Sequence, residues 1–134
     1  MNRHATGTFE VKLNPLDLAE VGAGETRGRI SINKTFHGDL EATSIGEMLS
    51  AMTEVKGSAG YVAMERVVGT LQGRQGSFVL QHSGTMNRGE PSLSVTVVPD
   101  SGTAELAGLS GSLTITIREG VHCYGLDYRF DDVA

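Results

Sequence analysis

The sequence predicts an all-β protein, a single domain of residues 1–134 folded as an eight-stranded antiparallel β-barrel. Two observations lead to this fold. Short stretches alternate apolar and polar residues, which is typical of strands with one buried face, and glycines punctuate them. Eight such stretches with short turns fit a meander that closes on itself, because closure removes the edges that an open sheet exposes. A β-sandwich is the alternative.

The first half of the chain begins with strand-like alternation in Thr6 to Leu13. A loop is predicted from Asn14 to Gly24, because it opens with Asn-Pro, a turn-forming pair. The next strand is predicted from Glu25 to Phe36, with Ile30, Ile32, Lys34 and Phe36 on one side. A tight turn at residues 37–39 follows it.

The stretch from Leu40 to Val55 fits two patterns. Apolar residues recur every three or four positions, as in a helix, at Ile45, Met48, Leu49 and Met52. Alternate positions from Glu41 onward also form one strand face. We interpret the stretch as a strand.

The second half of the chain repeats the strand-and-turn pattern. Glycine-containing turns are predicted at residues 56–58 and 73–76, a turn of helix within Thr103 to Leu109, and a closing hairpin around Glu119-Gly120. The predicted strands are Gly60 to Leu71, Ser77 to Met86, Ser92 to Val98, Gly111 to Arg118 and Val121 to Phe130.

Composition excludes several classes of partner. With 11 basic and 16 acidic residues the net charge is -5, so there is no cationic surface for nucleic acid or for anionic lipid. Cys123 is the one cysteine, which excludes an internal disulfide and fits a reducing compartment. The sequence lacks a signal-peptide pattern and a long apolar run, and we expect a soluble, cytoplasmic protein.

Candidate site residues follow from which side of each strand faces inward. Glu65 and Arg66 lie on opposite faces of their strand, and a carboxyl is easier to bury than a guanidinium, so the Glu65 side is predicted to face in. The same reasoning places polar residues of two later strands inside. The predicted ligand-binding set is Tyr61, Glu65, His82, His122 and Tyr124.

A few converging polar groups on apolar walls are typical of a binding or catalytic cavity. Burial would raise the pKa of Glu65, so this residue is the candidate catalytic acid or base. The alternative is that these groups simply satisfy one another in a filled barrel. We expect no cofactor and no metal, because the four histidines are widely spaced and no zinc or nucleotide motif occurs.

Three segments resemble the bacterial family DUF3224, namely Gly57–His82, Val98–Gly111 and His122–Tyr128. The resemblance extends over nearly the whole chain. It implies an allene oxide cyclase-like, or calycin-like, β-barrel. Allene oxide cyclases bind an oxylipin epoxide inside such a barrel and steer its cyclisation. No catalytic residue of those enzymes matches a position here by motif.

These observations leave three hypotheses for function. In the first, the barrel binds a small amphipathic or apolar molecule. In the second, the protein is a cyclase or isomerase. In the third, the barrel is filled by its own side chains and the protein functions through oligomerisation. Self-association into a dimer or trimer is expected in each case. The reason is that Val62, Met64, Val68 and Val79 are predicted to face outward, where they need cover.

Overall fold

The computed structural model describes residues 2–18 and 26–131 of the chain. Within them, eight antiparallel strands form a closed barrel in which each strand pairs with the next and the last pairs with the first. The predicted all-β barrel is confirmed. The strands are β1 (Arg3–Leu16), β2 (Arg27–Gly38), β3 (Leu40–Met52), β4 (Ala59–Leu71), β5 (Arg74–Asn87), β6 (Glu90–Val97), β7 (Leu109–Arg118) and β8 (Val121–Phe130).

Strand β1 is longer than the sequence predicted. The loop expected from Asn14 is wrong at its start, because Asn14 and Leu16 continue the pairing with β2 opposite Ser31 and Arg29. Residues 19–24 of that predicted loop, and Glu25 of the next predicted strand, lie outside the described residues.

The strand interpretation of Leu40 to Val55 is confirmed as far as Met52. The helix-like spacing arose because two sets of apolar residues overlap in the sequence. Met48 and Met52 belong to the inner face, whereas Ile45 and Leu49 belong to the exposed outer face.

Three tight hairpin turns set the ends of the neighbouring strands. In each turn two central residues have positive φ, the conformation of the two-residue turns that suit twisted strands. The turn at Gln72-Gly73 starts β5 at Arg74, three residues before the predicted Ser77, and a second turn starts β6 earlier than predicted. The hairpin predicted at Glu119-Gly120 is confirmed. The three turns are Gln72-Gly73, Arg88-Gly89 and Glu119-Gly120.

The two ends of the barrel differ. At the closed end, which holds the β2–β3 and β4–β5 turns, residues 98–108 link β6 to β7 and include a 3₁₀ turn at Ala104–Leu106, where a helical turn was predicted. Leu106 is fully buried in the core cluster, and Thr103 N–H donates to Ser77 O at 2.9 Å. This segment is therefore hydrogen-bonded to the first part of β5, and it contributes to the core at the closed end.

The seam of the barrel lies between β6 and β7. Among the described residues these strands are joined at one pair, Thr96 with Ser112, whereas the other neighbouring strands pair over seven or more positions. No helix within residues 2–18 and 26–131 is long and apolar enough to cross a membrane.

Candidate functional site

The inner face of the barrel carries a buried polar cluster near its middle. We call Lys34, Ser44, Glu65 and His82 the polar cluster; all four are buried, and Glu65 is only 1% exposed. The parity argument correctly placed Glu65 and His82 inside. The members of the polar cluster come from β2, β3, β4 and β5, so side chains of three strands meet at the carboxylate that β4 carries.

Both oxygens of the Glu65 carboxylate are occupied. Oε1 accepts hydrogen bonds from Lys34 Nζ at 2.9 Å and from His82 Nε2 at 2.6 Å. Oε2 accepts from Ser44 Oγ at 2.6 Å. A buried carboxylate with this many donors is well compensated, and it has little capacity left for a further partner.

Sequence reasoning missed Lys34 and Ser44. Lys34 lies on the face of β2 that also carries Ile32 and Phe36, and its ammonium sits 4.8 Å from the centre of the Phe9 ring. This placement is a cation–π contact added to the ion pair. The signal was present in the sequence, because a lysine on an otherwise apolar strand face needs a buried counter-charge.

The expectation of a raised pKa at Glu65 is wrong. Burial does raise it, but the hydrogen bond from His82, the charge of Lys34 and the hydrogen bonds from Ser44 and Lys34 together lower the pKa to about 2. The carboxylate is therefore ionised at neutral pH. Such a weak base is poorly suited to accept a proton from a substrate.

Tyr61 lies on the same inner face as Glu65, but further from the closed end of the barrel. Its ring occupies the space beside Gly84, where an added Cβ would clash with Tyr61 Cε1. Burial raises the pKa of Tyr61. Within the described residues its hydroxyl has no hydrogen-bond partner.

The other two predicted site residues do not join Glu65. Tyr124 Oη accepts from Leu40 N–H at 2.9 Å and donates to His37 O at 3.0 Å, which ties it to the β2–β3 turn. His122 is half-buried with its ring 5.1 Å from that of Phe9. The five predicted site residues therefore do not form one site. Tyr124 instead stabilises the closed end of the barrel.

The end opposite the closed one, which we call the open end, exposes apolar side chains of the inner face. These side chains are 40 to 65% exposed, although they lie on the inward-facing side of their strands. At the closed end, by contrast, inner-face residues such as Leu71 and Leu109 are at most 1% exposed. We call the exposed inner-face set the mouth residues, and it comprises Leu13, Met52, Met86, Leu93 and Ile117.

Residues 5–128 match the family described as a protein of unknown function, DUF3224. The chain belongs to the DUF3224 family. A crystal structure of a DUF3224 protein of unknown function from Shewanella oneidensis MR-1 is similar, with 53% identity and a TM-score of 0.92 over 98% of this chain and 100% of that one. No curated protein matches the chain. The family resemblance is confirmed, and the similarity to allene oxide cyclases stays a prediction.

In this DUF3224 protein the polar cluster is suited to hydrogen bonding and electrostatics. The cluster brings together an ion pair, an imidazole and a hydroxyl group in the buried interior. Each of their interactions is stronger there than it would be at the surface. Within residues 2–18 and 26–131, no group of three or more His, Cys, Asp or Glu side chains is arranged to hold a metal ion.

We expect Lys34→Met to destabilise this DUF3224 protein by about 3–5 kcal/mol, because it leaves the Glu65 charge buried without its counter-charge. Arg129→Met is the control, since the Arg129–Asp131 pair has the same 2.9 Å separation but is exposed, and exposed pairs contribute little to stability. Urea unfolding measures both. Similar losses in the two variants would contradict a special role for the buried pair.

The lowered pKa of Glu65 predicts a pH dependence of stability. Since the pKa falls from 4.5 to about 2 on folding, the stabilisation is complete above the unfolded-state value and is lost as pH falls from about 4.5 towards 2. We expect the free energy of unfolding of the wild type to fall more steeply over this range than that of Glu65→Gln. Acid titration of urea midpoints compares the two proteins, and parallel curves would refute the assignment.

Proposed function

We propose that this protein binds a small apolar or amphipathic molecule in the open end of its barrel. The observation that carries the proposal is the exposure of the mouth residues, which belong to the inner face yet remain 40 to 65% in contact with solvent. Exposed apolar side chains at the rim of a barrel gain free energy when a ligand removes them from water.

The residues further inside favour a ligand with both apolar and polar parts. Tyr61 brings an unpartnered hydroxyl, and His82 and Glu65 lie deeper on the same wall of the barrel. A few polar groups below an apolar rim fix the orientation of a bound molecule. Glu65 supports this role by holding His82 rather than by contacting the ligand itself.

A cyclase or isomerase function has less support. The enzyme hypothesis drawn from the sequence assigned Glu65 as a base. The low pKa and the full hydrogen bonding of that carboxylate oppose this role. Electrostatic stabilisation of a reacting molecule by the polar cluster is the form of the enzyme hypothesis that remains. A filled barrel without a ligand is opposed by the exposure of the mouth residues.

We also propose that a second copy of this chain covers an apolar patch on the outer surface of β3 and β4. Its side chains are 44 to 73% exposed, and monomers rarely leave such contiguous patches uncovered. Arg66 and Glu47, which Arg29 contacts at 2.6 Å, lie on the same surface with opposite charges, so a two-fold axis can bring Arg66 of each copy towards Glu47 of the other. The outer patch comprises Ile45, Leu49, Val62, Met64 and Val68.

We propose a cytoplasmic location as well. The supporting observation is that Cys123 is the chain's one cysteine, a usage that fits a reducing compartment.

The binding proposal predicts that Ile117→Asp abolishes ligand-induced stabilisation, because it puts a charge into the mouth. The measurement is a thermal-shift screen with fatty-acid epoxides, small terpenoids and flat aromatics. A ligand present at a hundredfold excess over its Kd should stabilise the wild type by about 2.7 kcal/mol.

Val121→Asp is the matched control for that screen. Val121 is 47% exposed and Ile117 is 65% exposed, but Val121 belongs to the outer face of the neighbouring strand and lies outside the outer patch. We expect Val121→Asp to keep the shift. Equal loss in both variants, or no shift with any compound in the wild type, would argue against a ligand site in the open end.

The oligomer proposal predicts that Met64→Lys shifts the protein towards the monomer, because it places a charge in the middle of the outer patch. Light scattering gives the mass in solution. A wild type with the 14.2 kDa mass of one chain would refute the proposal. Ile117→Lys, at the mouth, is the control that should leave the assembly intact.

A further inference from the structure

We infer that His82, rather than Glu65, is the polar-cluster group that contacts the bound molecule, and that it accepts a hydrogen bond at Nδ1 from a neutral, hydroxyl-bearing ligand. This inference rests on the proposed function, since the molecule has to enter through the open end. It adds the class of ligand, an apolar alcohol or phenol, and the atom that recognises it.

The first step is the tautomer of His82. Nε2 lies 2.6 Å from Glu65 Oε1, and an ionised carboxylate can only accept, so Nε2 carries a proton and donates it. The Lys34 ammonium already balances the charge of Glu65. A neutral imidazole therefore leaves the polar cluster without net charge, which is the form that burial favours. Nδ1 is then a bare acceptor.

The second step is that Nδ1 remains available. Within the described residues it has no hydrogen-bond partner, and the one fully buried side-chain nitrogen or oxygen there that lacks a partner is Ser110 Oγ. The His82 side chain as a whole is 5% exposed. The two imidazole nitrogens point in widely different directions, so Nδ1 points away from Glu65. His82 pairs with Ala63, two positions nearer the open end than Glu65.

The third step is a second polar group, Tyr61, whose pairing partner Gly84 lies two residues after His82. The Tyr61 ring packs over Gly84, which is the next inner-face residue of β5 after His82. Its hydroxyl has no partner among the described residues and can both donate and accept. A ligand hydroxyl can thus donate to His82 Nδ1 while it accepts from Tyr61 Oη.

These groups also decide against an anionic ligand. A carboxylate has no proton to give to Nδ1, and it would bring an unbalanced negative charge to a cluster in which Lys34 and Glu65 already cancel. A neutral hydroxyl satisfies the same atoms without that penalty. Alcohols and phenols should therefore bind better than the corresponding carboxylates and better than ethers, which lack the donor.

The test uses two pairs of probes, menthol with its methyl ether and 2-naphthol with its methyl ether. ¹⁵N NMR of histidine-labelled wild type reports whether Nδ1 is bare and whether it gains a hydrogen bond. Methyl resonances of Leu93 and Ile117 report whether a probe enters the open end. We expect Nδ1 to be bare, and to shift with the hydroxyl probes but not with the ethers.

Affinity gives an independent readout. A net hydrogen bond of about 1 kcal/mol corresponds to about fivefold tighter binding of each hydroxyl probe than of its ether. We expect His82→Gln to remove this preference, because glutamine can still donate to Glu65 but has no ring nitrogen at the Nδ1 position. Ser83→Ala, which changes the neighbouring exposed residue on the outer face, should keep the preference.

The outcomes separate the two proposals. Methyl shifts with all probes but no response at Nδ1, or a protonated Nδ1, would overturn the inference and leave the ligand site in place. Absence of methyl shifts with every probe would overturn both. Equal hydroxyl preference in His82→Gln and in the wild type would also overturn the role of His82.

Discussion

The ionised carboxylate of Glu65 is the constraint on which the rest of the barrel depends. A charge in the interior must be matched, and β2, β3 and β5 each contribute one donor to it, Lys34, Ser44 and His82. Strand registers are therefore fixed by chemistry as well as by hydrophobic burial. A slip of one residue in any of these strands would turn its donor to the outside and leave the carboxylate under-compensated.

The second organising feature is the difference between the two ends of the barrel. At the closed end, leucines, aromatic rings and the 3₁₀ turn at Ala104–Leu106 form a packed core, and Tyr124 joins β8 to the β2–β3 turn. At the open end the same inner faces continue, and the described residues there leave their apolar side chains exposed. The polar cluster lies between the two ends, so the packed half supports it from one side.

Much of the fold could be predicted from alternation, because a strand with one buried face repeats every two residues and the glycine turns separate such strands. Parity also placed Glu65 and His82 inside. The sequence could not predict how far Tyr61 and Tyr124 lie apart along the barrel, because that distance depends on the registers of pairing strands. Lys34 was grouped with Ile32 and Phe36 but was not recognised as a counter-charge for Glu65, and without it the sign of the pKa shift at Glu65 was wrong.

The short pairing between β6 and β7 gives the barrel a line along which it can widen. Among the described residues only Thr96 and Ser112 join these strands, so amide protons along the facing edges should exchange with solvent sooner than those elsewhere in the sheet. Leu93 and Ile117 flank this line at the open end. Separation of the two strands would therefore enlarge the open end sideways, so that the width of this end depends on breathing of one seam rather than on a fixed diameter.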